Sequence, residues 1–459
     1  MSSERKYFGT DGIRGVASVA PLDPYTMVQL GKSIAHYFLG RRGRHRVLIG
    51  KDTRLSGYMI ETSLAAGITS MGADVMLVGP LPTPGVAYLT RSMRADAGIV
   101  ISASHNSFED NGIKIFGADG YKLPDDVERE IERLIDSSEM RSMSAKPTEI
   151  GKAFRIDDAV GRYTVYLKGI FPRECTLEGL KVGFDCGNGA GYVVGPQTCV
   201  ELGAEVVSRG VSPNGRNINA GFGSLFPGVA RKLVLDQGLD VGVSLDGDGD
   251  RVILTDEKGN TVDGDMILAL CAIDLKARGL LREPRVVATV MSNLGMEKLL
   301  ERHGIEVVRT AVGDRYVLEE MIRQRLQLGG EQSGHTIFSD YSTSGDGILT
   351  ALNVIAIMAR TQRKLSELTA EFVRFPQTLI NIPVSRKPAL DSIDPIREVI
   401  KKTELELSTS GRVLVRYSGT ENKCRVMVEC EREDLCTRHA HDIAAVIQRE
   451  IGAPQSAGH

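Results

Sequence analysis

A repeated pattern of segments most constrains how this chain of 459 residues can fold. RVLIGKDTR from Arg46, KVGFDCGNG from Lys181 and RVVATVMSN from Arg285 each join a basic residue to an apolar, β-branched run that ends in small polar residues. Such a run is typical of a buried parallel strand and the loop after it. A helical stretch and a second strand follow each run, within MGADVMLVG, LGAEVVSRG and HGIEVVRTAVG. The pattern predicts three βαβ units in tandem, each too long for a small solenoid repeat.

A glycine precedes each of these second strands, at Gly72, Gly203 and Gly304. The C-terminal cap of a helix commonly needs a residue in the left-handed conformation, and glycine adopts it without steric cost. We therefore expect all three glycines to have a positive φ and to end the helix of their βαβ unit.

Each unit also contains a third strand, and each of these strands ends in a chemically different loop. The strands lie in DAGIVISASHN, DVGVSLDGDGD and LQLGGEQSGH. Their loops contain, in turn, Ser104; Asp246, Asp248 and Asp250; and Glu331, Ser333 and His335. Ligands of open parallel sheets bind at the carboxyl ends of the strands. Three repeats would present these three loops from equivalent positions, although a buried strand running out into a capping loop is the plain alternative for Ser104.

The pattern changes after Phe375. A strand-like LINIPVSRK, a helix near 393–402, a period-two stretch GRVLVRYSGTENKCRVMVECE and a helix over 435–451 indicate an α+β domain. The predicted fold class is α/β, with three tandem related α/β domains with mixed, mainly parallel sheets, plus a C-terminal α+β domain. The expected domains span residues 1–155, 156–256, 257–373 and 374–459. Expected linkers lie at Ser137–Pro147, Asp256–Asn260 and Arg374–Pro376.

Composition excludes several classes of protein. A net charge of −3 argues against nucleic acid as a partner, and no apolar stretch approaches the length needed to span a membrane. The beginning, MSSERKYFG, lacks the apolar core of a signal peptide, so we expect a cytoplasmic protein. The seven cysteines are scattered without a C-x-x-C pair, which indicates free thiols.

The stretch LDGDGDR predicts a magnesium site formed by Asp246, Asp248 and Asp250. Three carboxylates on so tight a turn would repel one another without a cation, and all-oxygen ligation suits Mg²⁺. The pattern argues against an EF-hand, because its sixth position needs glycine where Arg251 stands and because both flanks are strands. A plain acidic turn is the alternative to a metal site. The guanidinium of Arg251 would lie beside the cation, where it could hold phosphate oxygens.

RYSGTENKCR predicts a second phosphate-binding loop, although S-G-T is also a common turn. Hydroxyl groups, a glycine with exposed backbone N–H groups and two flanking cations suit a phosphate. The residues concerned are Arg416, Ser418, Gly419, Thr420 and Arg425. GEQSGH offers groups that suit sugar hydroxyls, a weak signal by itself.

The ordered set FGTDGIRG, SASHN, DGDGDR, GEQSGH and RYSGTE resembles the α-D-phosphohexomutase superfamily over nearly the whole chain. The resemblance implies transfer of a phosphoryl group between two positions of a hexose, on three related α/β domains and a smaller fourth one. KYFGTDGIRG, GEQSGH and TAVGDRYV are most similar to the members that act on glucosamine phosphates. The expected reaction is therefore the interconversion of glucosamine 6-phosphate and glucosamine 1-phosphate; the alternative is glucose or mannose phosphates.

Residue roles are also implied by the resemblance. Ser104 would carry the phosphoryl group as phosphoserine, Lys114 would act as general acid/base, and Arg14 would lie near the same centre. An oxygen of phosphorylated Ser104 would join the three aspartates on Mg²⁺, and Arg251 would contact phosphate. The loop residues Glu331, Ser333 and His335 would contact the sugar, and Arg416, Ser418, Gly419, Thr420 and Arg425 would hold the non-reacting phosphate. Glucosamine 1,6-bisphosphate would be the intermediate and activator, and a homodimer is the expected assembly.

Several expectations depend on this mechanism. Lys114 acts as a base only if its pKa is lowered, which burial beside Mg²⁺ and Arg251 could do. Reorientation of the bisphosphate requires a hinge before the last domain. The superfamily's usual prolines are replaced by Ser107 and Asn422, which loosens two loops. Two rival classes are a metal-dependent phosphatase with Asp246 as nucleophile and a non-catalytic phosphosugar-binding protein.

Overall fold

A computed structural model describes residues 6–9, 11–38, 45–418 and 422–453 of the chain. The chain forms two compact units. The first unit comprises residues 1–289 and 307–370, and the second comprises residues 290–306 and 371–459. The three repeats belong to the first unit, apart from residues 290–306 of the third repeat. No helix in the described ranges is long and apolar enough to cross a membrane.

The first repeat forms a seven-stranded sheet with the order β1-β2-β6-β5-β3-β4-β7. Its strands are β1 Phe8–Gly9, β2 Gly12–Val16, β3 Arg46–Lys51, β4 Asp74–Pro80, β5 Ala97–Ile101, β6 Asp110–Gly117 and β7 Ala153–Arg155. Its helices are α1 Pro24–Phe38, α2 Ser56–Ser70, α3 Thr83–Ser92, α4 Asp125–Ile135 and α5 Ser138–Ser142. β3 pairs in parallel with both β4 and β5, whereas β6 pairs antiparallel with β5. All five residues of β5 are buried, as expected for a central strand covered on both faces.

The second repeat forms a five-stranded sheet with the order β12-β11-β10-β8-β9. Its strands are β8 Lys181–Asp185, β9 Glu205–Arg209, β10 Val241–Leu245, β11 Val252–Asp256 and β12 Thr261–Val262. Helices α6 Ala159–Ile170, α7 Val194–Glu201 and α8 Gly228–Gln237 accompany it. The turn at 256–260, predicted to be a linker, closes the hairpin of β11 and β12, with the Asp256 carboxylate accepting from the backbone N–H of Lys258 and Asn260. The second sheet therefore continues to Val262.

The third repeat forms a four-stranded sheet with the order β14-β13-β15-β16. Its strands are β13 Arg285–Thr289, β14 Glu306–Thr310, β15 Leu328–Gly330 and β16 Thr336–Phe338. Its helices are α9 Gly264–Ala277, α10 Leu294–Arg302, α11 Asp314–Gln324, α12 Gly347–Thr361 and α13 Leu365–Leu368. Helix α10 belongs to the second compact unit, although it lies between β13 and β14 in the chain.

The three sheets repeat one strand order. The runs β6-β5-β3-β4, β11-β10-β8-β9 and β16-β15-β13-β14 place the third, first and second strands of each repeat side by side, with the next strand outside. Gly72, Gly203 and Gly304 have φ of +95°, +103° and +63°. The predicted tandem α/β repeats and the left-handed glycines are confirmed.

The second unit contains the predicted α+β tail. Strands β17 Gln377–Pro383, β18 Gly411–Tyr417 and β19 Lys423–Cys430 form an antiparallel sheet with the order β17-β19-β18. Helices α14 Asp394–Leu407 and α15 Glu433–Ile451 pack with it, and short 3₁₀ turns occupy Leu390–Ser392 and Ser408–Ser410. Val426 and Val428 of β19 form a buried core with Ile443 and Ile447 of α15.

The stretch predicted to be a linker at 137–147 packs on the first sheet's domain instead. It contains α5, and its Met140 is 1% exposed within the hydrophobic core of the first repeat. The ammonium of Lys32 donates to the carbonyl oxygens of Arg141 and Met143, across 3.1 and 2.9 Å. Isolated apolar residues in a mostly polar stretch are too weak a signal for the sequence to predict this packing.

Candidate active site

Two loops from different repeats meet at Ser104. The residue lies three positions after β5, is 2% exposed, and has a φ of +51°, which is uncommon for a residue with a side chain. Its hydroxyl donates a hydrogen bond of 2.7 Å to Oδ2 of Asp246, which follows β10. The serine and the aspartate loop are thus brought together by the carboxyl ends of equivalent strands, as the repeat pattern predicted.

The unusual backbone at Ser104 is held by buried donors. Arg54 is 0% exposed, and its Nη2 donates to the carbonyl oxygens of Ser104 and Asn106 across 3.2 and 2.6 Å. The side-chain amide of Asn219 donates to the same two oxygens, each across 2.9 Å. Asp52 forms an ion pair with the Arg54 guanidinium. Sequence reasoning missed Arg54 and Asn219, and only the position of KDTR after a repeat strand could have indicated Arg54.

The three predicted aspartates form one buried cluster. One carboxylate oxygen from each of Asp246, Asp248 and Asp250 lies within 4.8 Å of the other two. Oδ1 of Asp248 and Oδ1 of Asp250 are buried without a hydrogen-bond partner among the described residues. Burial and the other two carboxylates raise the pKa of Asp246 well above its usual value. Unsatisfied carboxylate oxygens that repel one another fit a hard divalent cation such as Mg²⁺.

Glycines make this cluster possible. Gly249 has a φ of +69°, which turns the chain sharply between Asp248 and Asp250. A Cβ atom on Gly247 would lie 2.5 Å from the carbonyl oxygen of Ser104, closer than real contacts allow. The alternating glycines therefore allow both the tight turn and the close approach of the serine loop.

Lys114 lies against the aspartate cluster. Its ammonium is 3.0 Å from Oδ2 of Asp248, 3.4 Å from Oδ2 of Asp250 and 3.5 Å from Oδ2 of Asp11. Burial lowers the pKa of Lys114, but these carboxylates outweigh it and hold its pKa well above the usual value. The lowering expected beside Mg²⁺ and Arg251 stays a prediction, because two of the carboxylates that raise the pKa here, Asp248 and Asp250, are ones whose charge a cation would neutralise.

Two arginines and a histidine surround the serine. Nη2 of Arg14 lies 2.6 Å from Oδ2 of Asp11. The backbone N–H of Arg251 donates to Oδ1 of Asp246 across 3.1 Å, and its Nη1 lies 3.3 Å from Nδ1 of His105. Burial, then the charges of Arg251 and Arg14, lower the pKa of His105, whose Nδ1 is 3.4 Å from the Ser104 hydroxyl. The site is therefore rich in cations around a single buried hydroxyl.

The GEQSGH loop reaches the same centre. Nδ1 of His335 lies 3.6 Å from Oδ2 of Asp250, and its Nε2 accepts from the backbone N–H of Gly345 across 3.0 Å. Ser333 donates to Glu331 across 3.4 Å, and Glu331 accepts from the backbone N–H of Gly313 across 3.1 Å. All three predicted residues are thus near one another, and His335 is closer to the aspartates than its expected sugar contact implied.

A cavity of about 810 Å³ opens over these groups. Its lining includes Arg14, Ser104, Asp250, Arg251, Asp314 and Glu331. The volume lies within the range of small-molecule sites, and the polar lining converges on one hydroxyl. A second cavity of about 810 Å³, lined by Phe38, Tyr121 and Ile322 among others, lies beside the neighbouring α4 and α11 but lacks the serine and the aspartates.

The predicted phosphate loop lies in the second unit. Arg416 on β18 is directly opposite Arg425 on β19. Like charges opposite each other on a sheet are destabilising, and an anion bound between them relieves the repulsion. Burial, then the charge of Arg425, lower the pKa of Arg416. Lys387 donates to the carbonyl oxygen of Ser418 across 2.9 Å, whereas Gly419 and Thr420 lie outside the described residues.

Four family models match successive parts of the chain. The phosphoglucomutase/phosphomannomutase alpha/beta/alpha domains I, II and III match residues 5–142, 162–259 and 263–375, and the C-terminal domain matches residues 379–446. Fold and site together define the class of protein as a phosphohexomutase. A phosphoglucosamine mutase from Syntrophotalea carbinolica is 54% identical over 450 residues, which covers 98% of each chain. The chain therefore belongs to the phosphoglucosamine mutase branch of the phosphoglucomutase/phosphomannomutase family.

Solved structures share the fold at low identity. A phosphoglucomutase/phosphomannomutase family protein from Burkholderia thailandensis is 22% identical with a TM-score of 0.77, over 97% of this chain and 99% of that one. The N-acetylphosphoglucosamine mutase of Aspergillus fumigatus, solved with GlcNAc-6P and magnesium, is 17% identical with a TM-score of 0.65, over 96% of both chains.

Proposed function

We propose that this chain interconverts glucosamine 6-phosphate and glucosamine 1-phosphate through phosphorylated Ser104 and a glucosamine 1,6-bisphosphate intermediate. The observation that carries the proposal is the hydrogen bond of 2.7 Å from the buried Ser104 hydroxyl to Asp246, inside a loop clamped by Arg54 and Asn219. A structural serine would need neither the positive φ nor the two clamps.

The proposed reaction exchanges one phosphate ester for another. The bond between phosphorus and Ser104 Oγ breaks while a bond forms to the oxygen of the free sugar hydroxyl. The proton that this hydroxyl loses balances the proton that Ser104 Oγ gains, and the second half-reaction reverses both changes at the other phosphate. Phosphoryl transfer needs positioning and charge stabilisation above all. Arg14 and Arg251 line the cavity and suit the equatorial phosphate oxygens.

Lys114 is proposed as the general acid/base. In the arrangement described it is an ammonium, so it is suited to donate a proton to the oxygen from which the phosphoryl group departs. Microscopic reversibility makes the same nitrogen the acceptor when the reaction runs the other way.

Mg²⁺ is the proposed cofactor, held by Asp246, Asp248, Asp250 and an oxygen of phosphorylated Ser104. The cation would neutralise charge on the phosphoryl oxygens. The unsatisfied oxygens of Asp248 and Asp250 support this assignment. Without a cation, a phosphate on Ser104 would face three buried carboxylates at close range.

Sugar and second-phosphate contacts are assigned by the loops. Glu331 and Ser333 are proposed to bind sugar hydroxyls, with His335 beside them. The loop with Arg416, Ser418, Gly419, Thr420 and Arg425 is proposed to hold the non-reacting phosphate. We keep the four domains 1–155, 156–256, 257–373 and 374–459, and the hinge before the last one, as proposals, although β12 at Thr261–Val262 belongs to the sheet of the second domain. A cytoplasmic location is supported by the seven free cysteines, and a homodimer is proposed from the family resemblance.

The decisive experiment compares Ser104→Ala with Ser107→Ala, an exposed serine of the same loop. We expect Ser104→Ala to lower kcat by about a thousandfold or more, because the phosphoryl acceptor is gone. Ser107→Ala should keep kcat within about twofold, because an exposed side chain contributes little. Intact-mass measurement should find one phosphate on the wild type after incubation with sugar bisphosphate and none on Ser104→Ala. Full activity of Ser104→Ala would refute the proposal.

The substrate is tested by kcat/KM for glucosamine 6-phosphate, glucose 1-phosphate and mannose 1-phosphate with Mg²⁺ and a trace of sugar bisphosphate. We expect glucosamine 6-phosphate to be preferred. Preference for glucose or mannose phosphates would retain the mechanism and reject the amino-sugar assignment. A phosphate found covalently on Asp246 would instead support a phosphatase.

A further inference from the structure

A partly buried lysine outside the predicted site connects two loops of the active-site cavity. Nζ of Lys122 lies 2.5 Å from Oδ1 of Asp11 and 2.5 Å from Oδ2 of Asp314. Asp11 and Asp314 both line the active-site cavity, whereas Lys122 faces the second cavity. The side chain of Lys122 is 14% exposed. Lys122 can therefore hold the two aspartates that line the active-site cavity without itself touching a ligand in that cavity.

The backbone fixes where this ammonium lies. Lys122 forms an antiparallel bridge with Phe116 of β6, and the adjacent Leu123 N–H donates to the carbonyl oxygen of Ile115 across 3.0 Å. β6 also carries Lys114. Lys114 therefore reaches Asp11 from β6, and Lys122 reaches it from the segment that is bridged to β6.

Lys122 closes a ring of alternating acidic and basic side chains around the site. Asp11 is 3.5 Å from Lys114, and Lys114 is 3.4 Å from Asp250. His335 follows at 3.6 Å from Asp250 and 4.0 Å from Asp314, which pairs with Lys122. The members are Asp11, Lys114, Asp250, His335, Asp314 and Lys122. Without Lys122, the partly buried carboxylates of Asp11 and Asp314 would lose their shared cation, and the groups that they hold would shift.

We propose that Lys122 is a positioning residue for phosphoryl transfer: it holds Asp11 against Lys114 and Asp314 near His335, and so ties the FGTDG loop to the TAVGD loop. The inference rests on the proposed function. Arg315, next to Asp314, reinforces the connection with an ion pair to Asp125 and a contact of 3.2 Å to Glu128. Burial lowers the pKa of Lys122, but Asp314 and Asp11 outweigh it and raise the pKa.

The test compares Lys122→Met with Lys122→Arg. We expect Lys122→Met to lower kcat by about tenfold to a hundredfold, because displaced catalytic groups are costly, while KM for glucosamine 6-phosphate stays within about threefold. Lys122→Arg, whose planar fork can bridge two carboxylates, should recover most of kcat. The matched control is Lys32→Met, a buried lysine of the same domain with carbonyl acceptors, which should change stability and leave kcat nearly unchanged.

A structural role and a positioning role predict different results. If kcat per folded molecule of Lys122→Met stays within about twofold of wild type, the proposal is overturned. It is also overturned if Lys122→Arg is no better than Lys122→Met. Should Lys122→Met not fold, Lys122→Gln takes its place with the same two outcomes. If the wild type carries no phosphate on Ser104, the proposed function is rejected. If the wild type is phosphorylated and the Lys122 variants keep the wild-type kcat, only this inference is rejected.

Discussion

Nη2 of Arg54 lies 3.2 Å from the carbonyl oxygen of Ser104, and the guanidinium that carries it is completely buried. The two residues belong to loops after neighbouring strands β3 and β5 of one sheet. A positive φ at Ser104 costs free energy, so this backbone conformation persists only because the surrounding hydrogen-bond donors hold it in place. Arg54 is therefore part of the device that presents the serine hydroxyl to the aspartate cluster.

Replacement of Arg54 should damage both stability and turnover. Arg54→Met leaves Asp52 without its buried cation and leaves the carbonyl oxygens of Ser104 and Asn106 with Asn219 as their remaining donor. We expect it to lower the free energy of unfolding by about 3–5 kcal/mol. Arg54→Lys keeps the charge but loses the planar fork, so we expect a smaller stability loss and a kcat reduction of about tenfold or more. Urea unfolding and kcat per folded molecule check both. A wild-type kcat for Arg54→Lys would contradict the conclusion that Arg54 holds the Ser104 loop in its active conformation.

Mg²⁺ should stabilise the folded chain through the three aspartates. A cation at about a hundred times its Kd should add about 2.7 kcal/mol to the free energy of unfolding. We expect Asp248→Asn to lose this increment and most activity, because it removes a ligand charge from the cluster. Asp236→Asn, which removes an exposed carboxylate on α8, is the control. An equal Mg²⁺-dependent Tm shift in wild type and Asp248→Asn would argue against the site.

Arg416 should contribute to substrate binding and not to stability. Removing one charge of the opposed pair relieves repulsion with Arg425, so Arg416→Met should keep or raise Tm. Loss of a charge-assisted hydrogen bond to phosphate should raise KM by about tenfold to a hundredfold. Arg432→Ala, an exposed arginine paired with Asp434 in the same unit, is the control. An unchanged KM for Arg416→Met would reject the phosphate loop.

Asp185 should make stability fall as pH rises. Burial raises the pKa of this carboxyl, at the end of β8, to about 6, although it accepts hydrogen bonds from the backbone N–H of Gly187 and Gly223. The folded state therefore holds the proton more tightly than the unfolded state between about pH 4 and pH 6. Across that window the residue's contribution to the free energy of unfolding decreases by up to about 3 kcal/mol.

The matching variant is Asp185→Asn, which cannot ionise. Urea unfolding from pH 4 to pH 7 should show the wild type losing stability relative to Asp185→Asn over this window. The variant loses one hydrogen-bond acceptor, which lowers its stability about equally at every pH. The change with pH in the stability difference between the two proteins therefore reports the ionisation of Asp185. A difference between the two proteins that is constant with pH would contradict the raised pKa.

Local pattern was sufficient for the repeats and for the aspartate loop. β-branched runs, glycines at helix ends and alternating Asp-Gly have meanings that depend on a few neighbouring residues, and the structure confirms the strand order and the positive φ values that they imply. The predicted linker at 137–147 was wrong, because a short helix with a buried Met140 resembles a linker in composition. The stretch at 256–260 is a hairpin turn, and the family models for the second and third domains end and begin close to it, at residues 259 and 263.

Sequence by itself determined which chemical groups the chain contains and at which strand ends they occur, because periodicity and turn chemistry are local properties. Only the tertiary structure decided how those groups act on one another. Lys114 has a raised pKa because carboxylates from other loops approach it within 3.5 Å, and Arg54 and Lys122 matter because folding buries them against partners distant in sequence. Electrostatic interactions depend on the distances between charges and on their burial, and both quantities are set by the tertiary structure.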